Sequence, residues 1–299
     1  MCGYRNECHS RKGLALARIL RGKPVAQALD AQVGDRVRVL KAKGVVPTLA
    51  IVRVGEREDD LAYERGATRR CESLGIAIRS ITLEEGCTQD ELLHAISAIN
   101  EDVTVHGCLL LRPLPPHMDE HAVCNKLSES KDVDCATDKS LLGVFVNRTE
   151  GFPPCTAEAC IAILDHYGYT LEGANVCVLG RSLVIGKPVS LMLQARNATV
   201  TMCHTRTRDL SDSCSNADVV IVATGHPKTL TADYVHEGQV VVDVGINWDP
   251  VANKLCGDAD YDSVEPVVEA ITPVPGGVGS VTTAVLAKHV VEAAERMAR

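Results

Sequence analysis

Four short runs of aliphatic residues in the second half of the chain restrict its fold more than any other feature. They are ANVCVLG (174–180), ATVTMC (198–203), DVVIVATG (218–225) and QVVVDVGIN (239–247), each bounded by glycine or a polar turn. Apolar stretches of this length without alternation are the pattern of strands buried on both faces. Such strands form parallel sheets, whose connections need crossover helices. The first half repeats the scheme. Val25, Leu29, Val33, Val37 and Leu40 fall at helical spacing and predict a helix over 24–43. A strand is expected at 47–55, a helix at 60–74 stopped by Gly75, a strand at 76–83 and a helix at 91–100. A further strand starts at 105 and runs into a proline-rich loop by 116. A helix over 157–167 ends at Gly168, and the last helix spans 282–299.

At about 150 residues per domain, 299 residues suggest two. The reading is α/β, with one domain over 17–156 joined by the returning helix 282–299, and a second over 157–281. Residues 1–16 read as a disordered extension. The formal charge of −8 and an aromatic content of 3% argue against a nucleic-acid partner, which needs clustered cations and stacking surfaces. The 13 cysteines show no CxxC spacing, so no metal site is expected. They read as buried reduced thiols of a cytoplasmic protein. No apolar run approaches the roughly 20 residues of a membrane span, and no signal peptide is expected.

The segment Gly180-Arg181-Ser182-Leu183-Val184-Ile185-Gly186-Lys187-Pro188 follows a strand and opens a helix. Glycines there let backbone approach a pyrophosphate, and a helix N-terminus offers free N–H groups. The spacing is G-x5-G, which alone also fits any tight strand–helix turn. After the next strand an NAD site usually carries an acid for the ribose 2′-hydroxyl. Here the residues are His204-Thr205-Arg206-Thr207-Arg208. Arg181, Thr205 and Arg206 suit a 2′-phosphate instead, so the expected cofactor is NADP. Arg208 reads better as a solvated basic turn, and His204 equally well as a turn histidine.

The segments GRSLVIGKPVSLML, ATVTMCHTRT, VVVDVGIN, GDADYDSV and ITPVPGGVGSVTTAVL, with VGEREDDLAYERG, KDVDCATD and GFPPCTAEA upstream, resemble the methylenetetrahydrofolate dehydrogenase/methenyltetrahydrofolate cyclohydrolase family over about residues 17–299. The resemblance implies two α/β domains flanking a cleft. The first binds folate, the second is a Rossmann-like NAD(P)-binding domain, and the molecule is a homodimer. It also implies roles for single residues. Tyr63 matches the tyrosine that lies against the substrate ring system, and Asp134 the acid that holds the pterin. Gly180, Arg181, Ser182, Gly186, Thr205, Arg206 and Ile246 fall to the cofactor. Pro275, Gly276 and Gly277 belong to a loop beside the substrate, with Ser280 in place of that loop's final proline. Cys135 replaces the glycine of the KDVDG motif.

Two departures bear on chemistry. The family's catalytic lysine, four residues after the tyrosine, is Ala67 here, and the glutamine that contacts it is Leu111. Residues four apart share a helix face, so position 67 is expected to face the cleft with Tyr63. Arg70 is on that face too, but arginine stays protonated and is no substitute base. Arg69, Arg70 and Arg112 are candidates for the substrate's glutamate carboxylates, with solvated surface charge an equal alternative. The main reading is an NADP-dependent dehydrogenase that oxidises 5,10-methylenetetrahydrofolate to 5,10-methenyltetrahydrofolate, with the hydrolase step absent or very weak. The alternatives are the bifunctional enzyme, a silent folate- and NADP-binding protein, and a shikimate-type two-domain dehydrogenase.

Overall fold

The computed structural model describes residues 17–148 and 150–299; the extension read at 1–16 lies outside them. The chain begins with β1 (Arg18–Ile19) and α1 (Gly22–Ala42), then β2 (Thr48–Val54), α2 (Glu58–Ser73), β3 (Ala77–Leu83), α3 (Gln89–Glu101) and β4 (Gly107–Leu110). Short helices α4 (Glu120–Cys124) and α5 (Asp138–Phe145) lead to α6 (Cys155–Tyr167). The second half runs through β5 (Asn175–Leu179), α7 (Gly186–Gln194), β6 (Thr199–Cys203), α8 (Leu210–Ser215), β7 (Val219–Val222) and β8 (Val240–Asp243). A hairpin of β9 (Asn247–Asp249) and β10 (Lys254–Cys256) precedes α9 (Tyr261–Val264), β11 (Ala270–Ile271) and α10 (Gly279–Met297).

Two parallel sheets result. One has the order β3-β2-β4, with Val52 opposite both Ile81 and Leu110. The other has the order β1-β11-β8-β7-β5-β6, parallel throughout. The α/β architecture expected from the aliphatic runs is therefore present. The central strands β7 and β8 are buried along their whole length, as continuous apolarity requires. ATVTMC departs from that reading. As β6 it lies at the sheet edge, paired among the described residues with β5 alone, and within the strand only Cys203 is buried. An edge strand covered on one side tolerates its threonines and an exposed Met202.

Helix α10 is apolar almost all round, from Val281 through Ala294, and is buried accordingly. It packs against α1, α6 and α2. Arg36 of α1 reaches Glu295 (2.7 Å) and Glu292 (3.4 Å) across this joint. Arg70 of α2 donates to Asp30 of α1 (2.5 Å), to Thr283 Oγ1 (2.8 Å) and to the Ser280 carbonyl (3.2 Å). Both termini thus cross over: α10 closes the first sheet's helical layer, and β1 extends the second sheet. Among the described residues no helix is long and apolar enough to cross a membrane.

Candidate active site

The glycine loop and the turn after β6 surround one cavity of about 310 Å³, lined among others by Gly180, Arg181, Ser182, His204, Thr205 and Thr224. Gly180 has φ +128°, and a Cβ there would meet the Ala223 carbonyl at 2.2 Å; a Cβ on Gly186 would meet the Gly180 carbonyl at 2.2 Å. Side chains at either position would displace backbone, so the loop folds tightly only with glycine. The α7 N-terminus is held by Ser182, whose hydroxyl accepts from the Ile185 N–H (3.1 Å). Among the described residues no carboxylate lines the cavity, whereas Arg181 and two histidines do. An anionic nucleotide carrying a 2′-phosphate fits these residues. Gly186 lies under this loop, whereas Arg206 is exposed and outside the lining, its N–H donating to His204 Nδ1 (3.1 Å).

A second cavity of about 460 Å³ joins the two halves of the chain. Its walls include Arg57, Asp60 and Tyr63 of the α2 region, Leu111 and Arg112 after β4, Asp134, and Val184 of the glycine loop. Tyr63 and Asp134 therefore meet in one cleft beside the nucleotide cavity. Burial pushes the Tyr63 hydroxyl well above its usual range, and the Asp134 carboxylate adds to the effect. Tyr63 is thus a neutral donor at any physiological pH. Burial also raises the Asp134 carboxyl, opposed by the Cys155 N–H that donates to it at 3.0 Å. Leu111 faces this cleft, but Ala67 does not. It is fully buried in the core shared with Val37, Leu49 and Cys71. Four residues turn a helix about 40° beyond a full turn, which here moves position 67 from the cleft wall to the core. Asp60, one turn before Tyr63 and only 6% exposed, stands in the wall instead. Burial pushes its carboxyl up.

Asp134 sits on a loop shaped by the neighbouring Asp132. The fully buried Asp132 carboxylate accepts from the N–H groups of Ala136 and Thr137, both at 2.8 Å. Cys135 has φ +58°. The turn that favours glycine is therefore kept by a cysteine, at a cost of about 1–2 kcal/mol. Behind the loop, His289 of α10 contacts Glu158 of α6 (2.8 Å), which also takes a bond from Lys288 (2.5 Å). Burial pushes the Glu158 carboxyl up, but His289 and Lys288 outweigh it and hold it at about 2, below its ordinary 4.5. A depressed carboxyl stabilises the fold fully above about pH 4.5 and loses that contribution as pH falls through about 2, a total on the order of 3 kcal/mol. Glu158→Gln is accordingly expected to melt well below the wild type at pH 7, with the gap closing between pH 4.5 and 2. A pH-independent gap in melting temperature contradicts this assignment.

The loop 275–280 borders a third cavity, about 280 Å³, together with Asp243 and Ile246. Ile246 thus lies with Pro275, Gly276 and Gly277 and away from the nucleotide cavity. The loop is tied to the start of α1, where the Gly22 N–H donates to the Gly276 carbonyl (2.8 Å). Two buried aspartates link the cavities. Asp258 accepts from the N–H groups of Thr224 (2.6 Å) and Gly225 (2.8 Å) and from Asn247 Nδ2 (2.8 Å). Asp243 accepts from Gly245, Asp258 and Ala259 N–H groups at 2.9–3.0 Å, yet burial still pushes it to about 6. Both lie in segments quoted above, VVVDVGIN and GDADYDSV, but nothing in sequence spacing marks them as loop anchors. Arg70 is committed to the α1–α2–α10 joint, and exposed Arg69 donates to its own helix at the Arg65 carbonyl (3.2 Å). Only Arg112 of the three cationic candidates lines the cleft. Among the described residues no group of three His, Cys, Asp or Glu side chains is arranged to hold a metal ion.

Two family models match successive parts of the chain. Residues 20–134 match the tetrahydrofolate dehydrogenase/cyclohydrolase catalytic domain, and residues 154–298 its NAD(P)-binding domain. The Bifunctional protein FolD of Carboxydothermus hydrogenoformans is 50% identical over 94% of this chain and 98% of its own. The structure of the Campylobacter jejuni bifunctional FolD methylenetetrahydrofolate dehydrogenase/cyclohydrolase superposes with a TM-score of 0.91 at 36% identity, covering 94% of this chain and 99% of the other. The Trypanosoma brucei FolD, solved with NADP and an inhibitor, gives 0.89 at 32% identity over 95% and 99%. The chain is an enzyme of the tetrahydrofolate dehydrogenase/cyclohydrolase family.

Proposed function

We propose that this protein oxidises 5,10-methylenetetrahydrofolate to 5,10-methenyltetrahydrofolate with NADP, and that it lacks the cyclohydrolase step of its relatives. The observation that carries this is the cleft itself. In it Tyr63 and Asp134 stand beside the glycine loop, and among the described residues its lining holds Leu111 and no lysine. NADP, when bound, accepts a hydride from the methylene carbon. The ring nitrogens of the substrate supply the electrons, and no proton leaves that carbon. Positioning therefore dominates the chemistry. The proposed part of Asp134 is to accept hydrogen bonds from the amide edge of the pterin. Tyr63, held neutral, lies along the ring system, and Arg112 faces the anionic tail. The test is an assay with methylenetetrahydrofolate that follows NADPH and the methenyl product separately. Accumulation of methenyl product in step with NADPH supports the reading; NADPH without it restores the bifunctional one.

The preference for NADP is expected to rest on Arg181 and Thr205, which line the nucleotide cavity, where no acid stands among the described residues. Removing one charge-assisted phosphate contact costs on the order of 1.5–3 kcal/mol. Arg181→Ala should then raise the KM for NADP roughly ten- to hundredfold and leave that for NAD nearly unchanged. Equal use of both cofactors by the wild type counts against the assignment. Arg206 lies outside the cavity, so its replacement should matter less.

The bifunctional reading draws on the names of the relatives and on Asp60, a buried carboxyl in the cleft wall. It requires Asp60→Asn to abolish hydrolysis while sparing hydride transfer. A homodimer and a cytoplasmic setting complete the proposal, both by likeness to the family.

A further inference from the structure

We propose that His289 and Glu158 form a positioning couple for the folate cleft, holding the Val133–Asp134 peptide from behind and so setting where the Asp134 carboxyl meets the substrate. The inference rests on the function proposed above and deepens it. Asp134 itself is gripped at one oxygen by the Cys155 N–H at the start of α6. The peptide carbonyl just before it, that of Val133, is gripped from α10: His289 Nδ1 stands 2.9 Å away. The Cys155 thiol also donates to that carbonyl, at 3.3 Å.

His289 is 1% exposed, and the Phe152 ring lies 4.9 Å from its own, centroid to centroid. Its second nitrogen, Nε2, faces Glu158 Oε2 at 2.8 Å. One nitrogen meets a carbonyl and the other a carboxylate. Both oxygens are acceptors, so each can be paired only by a bond donated from the ring nitrogen that faces it. Glu158 faces Nε2 and also takes a bond from Lys288, inside the joint between α6 and α10. An apolar side chain would fill the space without the desolvation cost of a buried ion pair. It would leave the Val133 carbonyl to a thiol, which is a weak donor. The consequence falls on the next residue, Asp134, at the cleft wall. Displacements of about 1 Å at such a position are enough to cost two orders of magnitude in turnover.

The experiment compares His289→Leu, His289→Gln and Glu158→Gln with the wild type, measuring KM for methylenetetrahydrofolate, KM for NADP, kcat and melting temperature. His289→Leu is expected to raise the folate KM about tenfold or more while the NADP KM stays within about twofold. His289→Gln, which keeps a donor for the Val133 carbonyl, should recover much of that loss. Glu158→Gln should fall between them. A loss of structure alone would move both KM values or neither. The proposal is overturned if the folate KM is unmoved in a folded His289→Leu, or if both KM values rise together. Should His289→Leu not fold, the other two variants decide by the same split, and an unmoved folate KM in both overturns the couple. A wild type that neither binds nor oxidises methylenetetrahydrofolate overturns the function itself, and the couple with it. A wild type with normal turnover and unmoved variants overturns the couple alone.

Discussion

Supplied with 5,10-methenyltetrahydrofolate, the protein is expected to leave it decaying near its uncatalysed rate. Hydrolysis requires water to attack the methenyl carbon and shed a proton, and general acid–base assistance for such a step contributes roughly 100- to 10,000-fold. Tyr63 is held neutral far above physiological pH, so it is a poor base. Leu111 offers the cleft no polar atom, and Ala67 has withdrawn into the core. Arg57 and Arg112, which line the cleft, stay protonated. Hydride transfer needs no base from any of these groups, so the two activities should separate. The fall in methenyl absorbance, corrected for the blank, measures the outcome. Rapid enzymatic decay would falsify the assignment and turn attention to Asp60. Restoring Ala67→Lys with Leu111→Gln is a weaker test. A lysine stem at 67 starts inside a packed core, where overfilling costs about 1–3 kcal/mol.

Asp134→Ala is expected to reduce kcat/KM for methylenetetrahydrofolate by at least about 100-fold, since each hydrogen bond to a charged group is worth roughly 1.5–3 kcal/mol and the pterin edge offers two donors. NADP binding should survive, because Asp134 lines the cleft and not the nucleotide cavity. Fluorescence titration with NADPH and steady-state folate kinetics separate the two. The fold should hold as well: the loop is closed mainly by Asp132, which the substitution leaves in place. Near-normal turnover would reduce Asp134 to a turn residue whose bond to the Cys155 N–H is its whole function.

The long elements were legible because periodicity and burial coincide in them. Val25, Val33, Val37 and Leu40 are the buried face of α1, as their spacing required. The runs in β7 and β8 are buried throughout. The edge position of β6 was not legible, because strand order is set by crossovers and not by the strand's own residues. Position 67 shows the limit of helical arithmetic. A shared face is about 100° wide, and one wall of a cleft can occupy half of it. Sequence motifs brought Gly180, Arg181, Ser182 and Thr205 to one cavity, and Tyr63 and Asp134 to another. They gave no signal for Val184, Asp60 or His289, whose roles depend on which elements the fold lays against each other.

The crossing of the termini has a consequence for how the chain is made. The layer of helices over the first sheet is completed by α10, whose first residue is Gly279, and the second sheet gains β1 from residues 18–19. A ribosome adds roughly 5–20 residues per second. The strands β2, β3 and β4 are therefore finished on the order of 10 s or more before the helix that shields α1 and α6 emerges. During that interval α1 and α6 have no partner from α10, and nascent chains with such unshielded apolar faces are the ones on which chaperones act.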